Sequence, residues 1–109
     1  MTRDFTCYFY HRDGNYDVTV AYTRDPDNGG VFYGAAFCGP EDQFNKRMGR
    51  AIARGRMDLM SEAADVEDFW GEAPVARWQV HEFILKSLSD HAYGYIPDNF
   101  VIHPDNFEL

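Results

Sequence analysis

Long apolar runs are missing from this 109-residue sequence. None approaches the roughly 20 residues that a membrane-spanning helix needs, so no bilayer contact is expected. Cysteine is scarce, with only Cys7 and Cys38. Neither of them, nor any of His11, His81, His91 and His103, has metal-ligand spacing, and no metal or cofactor is expected. The opening Met1-Thr2-Arg3-Asp4 has no basic and apolar leader. Together with the two thiols this points to a reducing, cytoplasmic setting, with a Cys7–Cys38 disulfide as the alternative. Phosphate-cradling glycine loops and a Gly-x-Ser-x-Gly elbow are absent too. Asp25, Asp27 and Asn28 begin like a calcium loop, but its twelfth position is Ala36 rather than glutamate, so a hairpin turn explains them better. Cys38 stands before Gly39-Pro40 near a helix start, which lowers a thiol pKa, yet no base accompanies it. No catalytic residues are assigned, and an enzyme is not expected.

Basic residues are the other shortage. Ten Lys and Arg against eighteen Asp and Glu give a formal charge of −8 and an isoelectric point near 4.7. General coating of nucleic acid is therefore disfavoured. Aromatics are plentiful at 17%, and in so short a chain they supply much of the buried area.

The pattern predicts a single α+β domain over 1–109, an antiparallel three- to four-stranded meander packed by two helices. Residues 5–38 form the sheet. Phe5, Cys7 and Phe9 alternate with Thr6, Tyr8 and Tyr10, and Tyr16, Val18, Val20 and Tyr22 alternate with Asp17, Thr19 and Thr23. In the third strand Gly34, Ala35 and Ala36 are small enough to let a helix lie close. A basic helix is expected over 41–60, burying Phe44, Met48, Ile52 and Leu59. An acidic stretch covers 57–76, and a second helix covers 74–92 with Trp78, Val80, Ile84, Leu85 and Leu88 inward and Gly94 as its stop. The segment 93–109 holds the echo Pro97-Asp98-Asn99-Phe100 and Pro104-Asp105-Asn106-Phe107, with Asn99 to Ile102 as a further edge strand.

Charge is distributed unevenly. Lys46, Arg47, Arg50, Arg54 and Arg56 hold half of all basic residues within eleven positions that contain no acid. Lys46, Arg47, Arg50 and Arg54 share one helix face. Such a face binds phosphates or an acidic protein, or else it is solvated and balanced by the chain's own acids downstream. Those acids are Asp58, Glu62, Asp65, Glu67, Asp68 and Glu72, which could imitate phosphate spacing or simply solubilise a loop. Tyr8 and Tyr10 on the outward sheet face are a third candidate surface, as interface or base-stacking aromatics, unless the C-terminal segment covers them.

Phe37-Cys38-Gly39-Pro40-Glu41-Asp42-Gln43-Phe44 and the following Gly49-Arg50-Ala51-Ile52-Ala53-Arg54-Gly55-Arg56 resemble a segment of small phage and prophage accessory proteins, with a Pro-x-Asp-Gln-Phe helix start and a Gly-Arg-x-Ile-Ala-x-Gly-Arg continuation. The resemblance covers about a fifth of the chain. It implies a mobile-element origin and, by analogy, a host-defence inhibitor of anti-CRISPR type in the host cytoplasm. The leading expectation is thus a non-enzymatic protein whose six acids contact a host protein with a basic nucleic-acid-binding surface. Direct nucleic-acid binding through Lys46, Arg47, Arg50 and Arg54 stands second. A homodimer, basic helix against acidic loop, is also anticipated.

Overall fold

Alternating side chains build a sheet with two apolar faces. In the computed structural model, which describes residues 6–12, 14–24, 30–39, 41–43, 45–67 (side chains of 62–67 excepted), 75–91 and 93–101, three strands form. They are β1 (Cys7–His11), β2 (Asp17–Arg24) and β3 (Val31–Cys38). Both pairings are antiparallel in the order β1-β2-β3. Phe9 stands opposite Val20 and Val20 opposite Ala35; one step along, Tyr8 faces Ala21 and Ala21 faces Gly34. Because side chains alternate in a strand, these two rows belong to opposite faces.

The first face carries Val18, Val20, Val31, Tyr33 and Ala35. It packs on Val80, Ile84 and Leu88 of α2 (Val80–Ser89) and on Ile96 and Phe100 of the C-terminal segment. The second carries Ala21, Phe32 and Ala36 against Ala53 and Met57 of α1 (Lys46–Glu67). The sheet is the middle of three layers, an α+β arrangement. Each Val, Ile, Leu, Phe or Met side chain so buried contributes about 1.5–3 kcal/mol.

Several expectations change. The first helix does not start at 41; Asp42 instead closes a turn, its N–H donating to the Gly39 carbonyl at 3.0 Å. Asn45 is the cap, with Oδ1 accepting the Met48 N–H at 3.0 Å, as side-chain caps do for unsatisfied first-turn donors. The helix runs on to Glu67, so 57–67 is helical rather than a loop. Its buried stripe is Gly49, Ala53 and Met57, while Met48, Ile52 and Leu59 are exposed at 60%, 41% and 65%. The reason is steric. A Cβ at Gly34 would meet Ala53 and Met57 backbone atoms, and one at Gly49 would lie 2.9 Å from Thr19 Oγ1. The helix approaches the sheet at Gly49 and Ala53, keeps Met57 inside, and turns Met48, Ile52 and Leu59 outward. Phe44 lies outside the described residues.

The second helix is also shorter than 74–92. A 3-10 turn at Arg77–Gln79 precedes α2, and Trp78, expected in the core, is 80% exposed. The stop comes before Gly94: His91 takes a left-handed φ of 54° just past the helix. No fourth strand appears among the described residues. Asn99 is in a turn, while Asn15 of the first hairpin donates to the Asn99 carbonyl at 2.6 Å and accepts the Val101 N–H at 3.1 Å. One side-chain amide thus makes the contacts a strand neighbour would have made. The calcium-like Asp25, Asp27 and Asn28 and the second repeat at 104–107 lie outside the described residues.

Candidate functional site

Tyr8 and Tyr10 alternate on the α1 face of β1, so both stand where that helix descends. The face is covered, as the alternative anticipated, but by α1 rather than by the C-terminal segment. Thr19, expected outward, is only 1% exposed. The rings of the two tyrosines are half-buried and capped by cations. Lys46 Nζ is 5.0 Å from the Tyr10 centroid, and the Arg50 guanidinium is 5.2 Å from Tyr8 and 5.7 Å from Tyr10. Arg50 also donates through Nε to the Tyr10 hydroxyl. Arg12 approaches Tyr10 from the strand side at 5.9 Å.

All four distances fall within about 6 Å, where a ring quadrupole attracts a cation. The tyrosines therefore act as supports. They hold three long, entropically costly side chains in place at the surface, with Lys46, Arg50 and Arg12 still exposed. Arg12 was missed in the linear reading, although strand alternation puts it on the face of Tyr8 and Tyr10. Arg47, next to Lys46 in the helix, is exposed. Arg54, one turn beyond Arg50, pairs with Asp58 at 3.6 Å, so its charge is partly balanced within the helix. Arg56 departs from the basic run altogether. It donates to the Ala35 carbonyl at 2.6 Å and stacks 4.2 Å from the Tyr95 ring. Burial, with Ala35 and Arg56 acting the other way, pushes the Tyr95 hydroxyl up to about 12, so it stays neutral.

Of the six acids, Asp58 is the one whose side chain is described. Asp58 is engaged by Arg54. Glu62, Asp65 and Glu67 occupy the second half of α1, and Asp68 and Glu72 lie outside the described residues.

Other chemistry is thin among the described residues. Cys7 and Cys38 are both free, on the two edge strands with β2 between them. Cys38 borders a groove of about 210 Å³ with Asp17, Asp42, Met48 and Ile52. Desolvation, with Asp42 and Asp17 nearby, raises its thiol pKa, the reverse of the helix-terminus effect expected for it. A thiol kept protonated is a poor nucleophile. His81 stacks on Phe9 at 4.1 Å, and its Nε2 lies 3.0 Å from the Tyr22 hydroxyl, a packed histidine rather than a ligand. No group of three or more His, Cys, Asp or Glu among the described residues could hold a metal ion, and no described helix is long and apolar enough to cross a membrane.

Among the described residues the geometry thus singles out one ridge, Arg12, Lys46 and Arg50 on a Tyr8–Tyr10 base, with the exposed Arg47 next to Lys46 in the helix. A scan against family models found no match to this chain, and searches of curated proteins and of solved structures found no similar one.

Proposed function

We propose that this protein is a small binding domain that engages the phosphates of DNA or RNA through Arg12, Lys46, Arg47 and Arg50. The observation that carries the reading is the seating of Lys46, Arg50 and Arg12 around Tyr10. Pre-organised cations lose less side-chain freedom on binding, and binding free energy is the surplus over that loss.

The mode follows from the same geometry. Cations already occupy the tyrosine faces, so contact goes through phosphates and not through base stacking. Phosphate contacts position a protein without specifying sequence. The net charge of −8 does not defeat this, because distant acids are screened beyond about 8 Å at physiological salt while the local cations act at contact. The other reading, six acids addressing a basic channel in a host defence machine, rests on net charge and on the resemblance of the 37–56 segment. The one of those acids with a described side chain is already paired.

The test is fluorescence anisotropy with labelled single- and double-stranded DNA and RNA. Binding that is sequence-tolerant, weakens with salt and falls at least about tenfold in Lys46→Ala/Arg50→Ala is expected. Absence of binding at low salt, or binding indifferent to that pair, overturns the proposal. A salt-sensitive protein complex lost on Asp58→Ala/Glu62→Ala/Asp65→Ala would put the acidic reading in its place.

A further inference from the structure

The solvent side of α1 carries a second feature that the basic ridge does not use. Met48, Ile52 and Leu59 are exposed large hydrophobics whose spacing, with Gly55 between, is four, three and four residues. That is the rhythm of a helix–helix seam. Among the described residues nothing explains Gly55: a Cβ added there would meet none of them within 4 Å, yet glycine in a helix interior costs about 1 kcal/mol against alanine. Gly34 and Gly49 each admit a close neighbour from within the chain; Gly55 admits one from outside.

The charge order of the same helix identifies that neighbour. Its first half holds Lys46, Arg47, Arg50, Arg54 and Arg56, and its second half Asp58, Glu62, Asp65 and Glu67. The sign changes next to Gly55. A helix with this gradient is complementary to itself reversed. We infer that two copies of this chain associate through α1, antiparallel about a two-fold axis near Gly55, with Ile52 of one copy against Leu59 of the other.

Such a contact is isologous and closes at two. It sets each basic half level along the axis with the other copy's acidic half, without enclosing the Lys46 and Arg50 side chains seated on Tyr8 and Tyr10, and opposes the two helix dipoles. Met48 and Ile52 also border the 210 Å³ groove beside Cys38, so the seam continues into a depression that receives apolar side chains. The seam lies on the flank of α1 away from β1, which leaves both basic ridges open. The inference is independent of the nucleic-acid reading.

Sedimentation velocity across a concentration series tests it. A monomer–dimer equilibrium is expected, with Ile52→Glu/Leu59→Glu raising the dissociation constant at least about thirtyfold while helical circular dichroism is unchanged. Gly55→Ala, placed in the Ile52→Glu/Leu59→Glu chain, raises the melting temperature; in the wild-type chain it weakens the dimer. The antiparallel sense is read by disulfide capture in a Cys7→Ser/Cys38→Ser background. Ile52→Cys mixed with Leu59→Cys cross-links, whereas Ile52→Cys alone does not, its two copies being offset by about 10 Å along the axis. A monomer at every concentration, a dimer indifferent to the double glutamate variant, or capture by Ile52→Cys alone overturns the inference.

Discussion

A methyl group at Gly34 would sit 2.3 Å from both the Ala53 carbonyl oxygen and the Met57 nitrogen. Backbone cannot yield as a flexible side chain does, so Gly34→Ala must lift α1 from the sheet. A loss of about 3 kcal/mol is expected, at the upper end of overpacking costs, read as a fall in the urea midpoint. Small residues at 34–36 already announced a close helix in the linear sequence; which small residues of the helix they would meet did not follow from it. His81 acts at the same scale through pH. Burial against Phe9 lowers its pKa in the folded state, so the unfolded chain takes up the proton at higher pH. Stability is therefore full above the unfolded histidine pKa of about 6.5 and declines as pH falls below it. Thermal melts at pH 7 and pH 5 check the sign, and His81→Gln flattens the difference.

At the scale of elements, α1 separates what a pattern reveals from what packing decides. A helical wheel finds the basic face and the apolar stripe, and both are real. It cannot tell which stripe meets the sheet, because hydrophobicity alone favours Met48, Ile52 and Leu59 over Gly49 and Ala53. Close approach to Gly34 and Thr19 reverses that preference. Met57→Ala is accordingly expected to cost about 2–5 kcal/mol as a buried truncation, whereas Leu59→Ala should change monomer stability by no more than about 0.5 kcal/mol. Urea denaturation at dilutions that favour the monomer separates the two. The strands were legible from alternation, including the inward set Val18 and Val20. Cover over the second face was one of two alternatives there, but that α1 supplies it was not legible, since Thr19 and Tyr8 look like solvent residues until a helix lies on them. Tyr8 and Tyr10 were singled out in the linear sequence; Arg12 completed the cluster only once β1 and α1 were side by side.

For the whole molecule, an acidic body with a local basic ridge should show an unusual salt response. Four phosphate contacts on a single strand give a slope of about −3 in log affinity against log salt. The net charge of −8 opposes approach at long range, so association should be slow for a nucleic-acid binder and should not accelerate steeply at low salt. Stopped-flow anisotropy at two ionic strengths measures both rate and slope. The described residues make a sheet held from both sides. On one side Arg24 donates through Nε to the Val75 carbonyl at 2.9 Å ahead of α2, and on the other Arg56 donates to Ala35.

Among the described residues, the outer rim of β3 is closed by side chains rather than by a neighbouring strand. Beside Arg56, the Met60 thioether accepts the Tyr33 N–H at 3.2 Å. That amide proton is held by a side chain of α1, so detachment of the helix from the sheet opens it to deuterium. Its exchange rate is therefore a single-proton clock for detachment of the helix, and conversion of Met60 to a sulfoxide would reset it.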